Sequence, residues 1–301
     1  MKRLGIFVAL LSLLVTMTTG CQPQFHPGTF TDDMGREVSI DKIPQRIVSH
    51  VPSITETLFA LDLGERVVGV SDYCNYPPEA GLKPSVGNYF NPSIETIIAQ
   101  DPDLVITDGY SEGLIPQLES LGVTCVVIDP KDMDGILKDI ELLGRITGAE
   151  GRAREVIKSM RDRILRVTTA AEDAPRVRVF YTFATTNLSN PWTAGPGSFA
   201  DSLITMAGGE NIAANAQSAW VQFSIEALCH ADPEVILVDA SHGTAVMSEE
   251  ELRAHPAWRE LTAVKQGRVY IIDGDLVNRS GPRIVQGLEE IAKIIHPELF
   301  E

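Results

Sequence analysis

The chain has 301 residues, with 25 Lys and Arg against 41 Asp and Glu, a formal net charge of −16, and 44% hydrophobic residues. So acidic a balance argues against nucleic acid or an anionic membrane surface as partner and makes a basic partner easier to accommodate. The length is enough for two lobes of ordinary size around their own apolar cores.

Met1-Lys2-Arg3, followed by the nearly all-apolar run Leu4 to Val15, has the form of a signal peptide. That run is shorter than the roughly 20 apolar residues of a membrane span. It leads to Thr18-Thr19-Gly20-Cys21, which resembles the lipobox of bacterial lipoproteins with Thr18 in place of the usual Leu. Residues 1–20 are expected to be removed and Cys21 to carry the lipid anchor, which places the mature protein outside the cytoplasm.

From Arg46 to Thr147, short β-rich runs alternate with amphipathic ones, the pattern of a parallel sheet covered by helices. Strands are predicted at Arg46 to Val51, Arg66 to Ser71, Leu104 to Asp108 and Cys125 to Asp129. The helix after the first strand is expected to open with Ser53 and Glu56 as a capping box, and another follows Asp132 toward Thr147. Between about Glu150 and Ala171, apolar residues recur at helical spacing among Arg, Lys and Asp, which predicts one helix of about 30 Å. Strands resume at Val177 to Phe183, Val235 to Asp239 and Val269 to Ile272, and a last helix is predicted at roughly Pro282 to Ile295. The reading is α/β: two Rossmann-like lobes, residues 21–147 and 173–301, joined by a single long helix at 148–172, with a ligand cleft between them.

An internal repeat supports two lobes. Ser93-Ile94-Glu95 through Asp101-Pro102-Asp103-Leu104 to Asp108 aligns without a gap to Ser224-Ile225-Glu226 through Asp232-Pro233-Glu234-Val235 to Asp239. Each copy reads as a short helix, an Asp-Pro turn and a buried strand. Two copies are too few for a solenoid, which needs about three stacked units.

The chemistry-bearing motifs are sparse. Gly195-Pro196-Gly197-Ser198-Phe199-Ala200 matches a G-x-G-x-x-A dinucleotide fingerprint but stands apart from its strand, and Pro196 stiffens the turn. No catalytic signature is present. Cys74, Cys125 and Cys229 have neither zinc spacing nor an even count, and Cys125 sits in an apolar run that reads as core. His50 near a strand end reads first as a structural histidine, with a ligand contact as the alternative. Polar loops carry Tyr73, Tyr76, Tyr89, Phe90, Trp192 and Trp220, and aromatics after strands can offer flat apolar faces to a large ring. Glu95 and Glu226 occupy identical first-turn places; they either compensate helix dipoles or form one acidic knob per lobe.

Pro52-Ser53-Ile54-Thr55-Glu56, Val68 to Pro77, Ser93-Ile94-Glu95, Asp101 to Val105, Gly208 to Ile212 and Ser280-Gly281-Pro282-Arg283-Ile284 together resemble the cobalamin and ferric-siderophore branch of ABC-importer substrate-binding proteins. The resemblance covers about Arg46 to Ile295. It implies two α/β lobes on a stiff helical hinge, no catalysis, no cofactor and no metal site. The transported ligand it implies is cobalamin or a related corrinoid, with a ferric siderophore or haem as the alternative cargo and an exported enzyme on this scaffold as the rival from another class. It also implies ligand contacts at Tyr73, Tyr89, Trp192, Trp220, Asp275 and Arg279, and docking of Glu95 and Glu226 onto basic sockets of a permease. Tyr89 replaces a Trp and Trp192 a Phe of the cobalamin-binding pattern. A monomer is expected.

Overall fold

The computed structural model describes residues 27–183, 187–240 and 249–300. A hairpin of β1 (Gly28–Thr31) and β2 (Glu37–Ile40) precedes β3 (Ile47–Ser49), α1 (Pro52–Ala60) and β4 (Val67–Val70). Short β5 (Gly87–Asn88) and β6 (Asn91–Pro92) lead to α2 (Ile94–Ala99), β7 (Leu104–Thr107), α3 (Ile115–Ser120), β8 (Thr124–Val127) and α4 (Met133–Thr147). Helix α5 (Glu150–Ala171) crosses to β9 (Val177–Phe183), β10 (Trp192–Ala194), α6 (Phe199–Met206), β11 (Gly209–Asn211) and β12 (Trp220–Gln222). The chain continues through α7 (Ile225–Ala231), β13 (Val235–Asp239), α8 (Glu249–Ala254), α9 (Thr262–Lys265), β14 (Val269–Ile272), α10 (Gly274–Asn278) and α11 (Ile284–Ile295).

Two four-stranded parallel sheets, ordered β4-β3-β7-β8 and β11-β9-β13-β14, form the centres of the lobes. Counted within each lobe, the two orders are the same. Every residue of β7 and of β13 is buried, as expected where helices cover both faces of a parallel sheet. The fourth strand of the second sheet, β11, was not predicted. Gly209-Glu210-Asn211 has no β-rich pattern and becomes a strand only by pairing with Val177 to Val179.

The repeat folds alike in both lobes. Ser93 and Ser224 cap their helices by accepting the N–H of Thr96 and Ala227. Asp101 and Asp232 then turn the chain through φ of +48° and +41°, a left-handed backbone that Asp tolerates better than most residues. Asp103 and Glu234 accept the backbone N–H of Arg46 and Arg178, each at 3.0 Å. The guanidinium groups of the same arginines bind the carbonyls of Asp101 and Asp232. The duplication therefore extends to the strand openings at Arg46 and Arg178, which the sequence alignment did not reach.

Helix α5 buries Ala153, Ile157, Met160, Val167 and Ala171 on one stripe. It reverses off α4 at Gly148, whose φ of +72° suits glycine. A Cβ on Gly144 would stand 2.6 Å from that of Ala153, so small side chains permit the close crossing of the two helices. Arg163 then ties α5 to α11 through both oxygens of Glu289, at 2.8 and 2.6 Å.

One local expectation is corrected and one doubtful match is set aside. Pro52 takes the first helical position of α1, which makes Val51 the N-cap without a side-chain bond; Ser53 is already inside the helix, and Glu56 is engaged elsewhere. The Gly195 to Ala200 segment is not a phosphate turn, because β10 intervenes between β9 and α6 and Ser198 caps α6 itself. Gly195 serves close packing there, since a Cβ would lie 2.3 Å from the Ser218 carbonyl oxygen.

Candidate functional site

Parallel strands deliver their carboxyl ends to one edge of each sheet, and ligand clefts of α/β folds form there. The segments after β3, β4 and β7 place Val51, Pro52, Tyr73, Tyr89, Phe90 and Asp108 on one wall of a cleft of about 490 Å³. The segment after β14 supplies the facing wall with Gly274, Asp275, Asn278, Arg279 and Ser280. Grooves of about 460, 640 and 490 Å³ also run along α5, but none gathers the strand ends of both sheets.

The first wall is aromatic. His50, Tyr89 and Tyr110 form a stacked column, with ring centroids 5.7 and 5.5 Å apart and planes within 14° and 19° of parallel. Phe90 meets Tyr89, Tyr110 and Tyr73 edge-on. Phe90 and Tyr110 are 62% and 65% exposed, so two large rings face solvent beside the cleft. Tyr110 escaped the sequence reading, although its place just after the strand ending at Thr107 was a usable signal.

His50 is the buried base of the column. It has no exposed surface, its Nε2 lies 3.4 Å from the Asn88 carbonyl, and its Nδ1 faces the Thr107 and Ser111 hydroxyls. Burial holds its pKa below the usual range. The structure thus buries His50 completely behind a stack with Tyr89. Tyr89 donates its hydroxyl to Asp108 Oδ2 at 2.5 Å. Burial and that carboxylate raise the phenol well above its ordinary pKa and keep it a donor.

Trp192 and Trp220 lie on the β10–β12 ribbon. Ala194 pairs with Trp220 and Trp192 with Gln222, so both indoles share one face. They are 45% and 38% exposed. Trp220 packs on Phe183 at 5.0 Å and Tyr181 at 6.2 Å. Of the sequence-predicted ligand residues, Tyr73, Tyr89, Asp275 and Arg279 line the cleft, whereas the two tryptophans stand outside its enclosed part. Trp220 connects to it through Tyr181, whose hydroxyl accepts from Asn278.

A charged cluster that sequence reasoning missed joins the walls. The Glu56 side chain, 1% exposed, accepts from Arg279 at 2.9 Å and from Arg283 at 2.8 and 2.7 Å. Arg279 also pairs with Asp275 at 2.7 Å and binds Asn75, and Arg283 lies 3.9 Å over the Tyr76 ring. A buried carboxylate needs such partners. A glutamate within the apolar run of α1 was the available signal. Its arginines lie more than 220 positions away.

Glu95 and Glu226 are exposed in the first turns of α2 and α7. Cys21 lies outside the described residues. Cys74 and Cys125 are buried and Cys229 is exposed. Among the described residues, no cluster of His, Cys, Asp or Glu is placed to hold a metal ion, and no helix is long and apolar enough to cross a membrane.

Two related lobes, a helical bridge and a cleft at the strand ends describe a solute-binding architecture, and residues 47–276 match the family model described as periplasmic binding protein. The chain belongs to that family. It is 33% identical to the uncharacterised ABC transporter substrate-binding lipoprotein YvrC of Bacillus subtilis, over 100% of this chain and 99% of the relative. A cobalamin-binding protein of Halobacterium salinarum is 30% identical over 90% of this chain and 74% of its own length. Among solved structures, the periplasmic heme-binding protein RhuT of Roseiflexus aligns with a TM-score of 0.76 at 28% identity, covering 85% of this chain and 99% of RhuT. This periplasmic binding protein is therefore the substrate-binding component of an ABC transporter, working outside the cytoplasm with a permease and without catalysis.

Proposed function

We propose that the protein captures cobalamin or a related corrinoid and delivers it to the permease of an importer. The observation that carries this reading is the pairing of an aromatic wall with a cleft that offers no free cation among the described residues. Tyr73, Tyr89, Phe90 and Tyr110 on one side, with Trp192 and Trp220 on the other lobe, present flat apolar surface suited to a large ring. Arg279 is the one basic residue among the described residues lining the cleft, and Glu56 and Asp275 already neutralise it. An anionic ferric siderophore, or haem with its two carboxylates, would require unpaired Arg or Lys there. A corrinoid carries uncharged amides around a ring of the right kind and makes no such demand.

In this reading residues 21–147 and 173–301 act as the two lobes and 148–172 as their hinge. Acylated Cys21 tethers a monomer to the membrane, and Glu95 and Glu226 dock on basic sockets of the permease. Calorimetric titration of the mature domain lacking Cys21, with cyanocobalamin, a ferric siderophore and haem in parallel, tests the cargo. Tight 1:1 binding of cyanocobalamin alone is expected. Heat with only an iron chelate or haem would overturn the ligand, and silence with all three would overturn the capture of any of these rings.

A further inference from the structure

Each copy of the repeat ends on an aspartate that receives a tyrosine hydroxyl, Asp108 from Tyr89 and Asp239 from Tyr181. In the first lobe both residues line the cleft. In the second, Asp239 and Tyr181 are 1% and 0% exposed and neither lines it, so the same pair stands one layer behind the wall.

What the pair holds there is the wall itself. Helix α10 carries Asp275 and Asn278 and leads into Arg279, and all three line the cleft. The Asn278 amide donates to Asp239 Oδ2 at 2.7 Å and to the Tyr181 hydroxyl at 2.9 Å. At the other end of α10, a Cβ on Gly274 would fall 1.9 Å from Asp239 Oδ1, so the carboxylate fills the space that any side chain there would need. One carboxylate therefore meets both the first and the last residue of α10. The Tyr181 ring in turn packs against Phe183 and Trp220, with centroids 5.8 and 6.2 Å away. Burial and Asp239 raise the Tyr181 phenol well above its ordinary pKa, which keeps the hydroxyl a donor.

We propose that Asp239 and Tyr181 are positioning residues for ligand binding: they touch no ligand, but they seat α10 so that Asp275 and Arg279 are presented to it. The same seat keeps Arg279 within reach of Glu56 in the first lobe, so a shift of α10 disturbs both walls. The inference rests on the corrinoid reading and adds which buried residues shape its site.

The test titrates cyanocobalamin into the wild type, Tyr181→Phe, Gly274→Ala and Asp232→Asn at a temperature where far-UV circular dichroism shows each to be folded. Tyr181→Phe keeps the ring and removes only the hydroxyl, and it is expected to weaken binding by about fivefold. Gly274→Ala drives a methyl group into Asp239 and is expected to cost more than about tenfold; should it not fold, Tyr181→Phe decides alone. Asp232→Asn is the control for loss of stability by itself. Asp232 lies beyond the end of β13 opposite Asp239 and accepts from the Thr262 N–H and hydroxyl, each at 2.7 Å. Its substitution is expected to lower the melting temperature and to leave affinity within about twofold of wild type. Wild-type affinity in Tyr181→Phe would reduce the pair to a stabilising role and overturn the proposal. An equal loss of affinity in Asp232→Asn would overturn it as well, and either result leaves the corrinoid reading in place. Wild type silent toward cyanocobalamin would instead bring down that reading and this inference with it.

Discussion

Replacing Glu56 by alanine removes one carboxylate and leaves two guanidinium groups facing each other between the lobes. Arg279 and Arg283 are only 9% and 13% exposed as side chains, and Glu56 is 1% exposed, so water cannot readily take the place of its three hydrogen bonds. Removing one partner of a buried ion pair costs about 3–5 kcal/mol. Stacking of Arg283 on Tyr76, which is attractive by about 0.5–2 kcal/mol, survives and keeps the loss toward the lower end. All 3 tryptophans of the chain, Trp192, Trp220 and Trp258, lie in the second lobe, whereas Glu56 lies in the first. Urea unfolding followed by tryptophan fluorescence therefore reports whether a change in one lobe is felt by the other. The fluorescence midpoint is expected to fall by an amount worth roughly 3 kcal/mol, and the fluorescence transition is expected to run ahead of the loss of far-UV circular dichroism. The substitution removes one of the two carboxylates on Arg279 and leaves Asp275 paired with it, so affinity for haem or a ferric chelate should rise only modestly relative to cyanocobalamin. A loss below about 1 kcal/mol, the size of an exposed pair, with coincident transitions would refute the idea that this cluster couples the lobes.

Other consequences follow from the same geometry. Asp139, buried in α4, has its carboxyl pushed from 3.8 to about 8, first by burial and then by the neighbouring Asp33 and Asp129. A carboxyl whose folded pKa is raised favours folding while protonated, so stability from this group falls as pH rises from about 4 to about 8. Asp139→Asn should raise the melting temperature at pH 8, leave it unchanged below pH 4, and flatten the slope between, as scanning calorimetry would show. Trp220→Ala and Tyr110→Ala should each weaken corrinoid binding by on the order of tenfold in calorimetric titrations, since each removes a ring face. Unaltered affinity in both would place the ligand elsewhere. Glu95→Ala and Glu226→Ala should leave ligand affinity intact, cost at most about 1 kcal/mol of stability, and abolish stimulation of the reconstituted permease's ATPase; unaltered stimulation would reduce the pair to dipole compensation.

Local patterns carried much of the architecture. Alternating β-rich and amphipathic runs located seven of the eight strands of the two sheets, the three of the second lobe end to end and the four of the first with ends shifted by up to two residues, and helical spacing located α5 through its buried stripe. The repeat was legible because Ser, Asp-Pro and an apolar run act over distances shorter than a helical turn or a strand. Tyr73, Tyr89, Trp192, Trp220, Asp275 and Arg279 were placed at one cleft by resemblance; Tyr73, Tyr89, Asp275 and Arg279 line its walls, and the two tryptophans stand outside its enclosed part. What depends on partners distant in sequence was not legible. Strand β11 exists only through its pairing with β9, and Glu56 looked like a capping residue because its arginines lie far along the chain. That Asp108 Oδ1 and Asn278 Oδ1 are buried without a hydrogen-bond partner among the described residues could not have been anticipated either. A hydrogen bond that is missing is a property of every group that could have come within 3.5 Å, and only the folded chain decides which ones do.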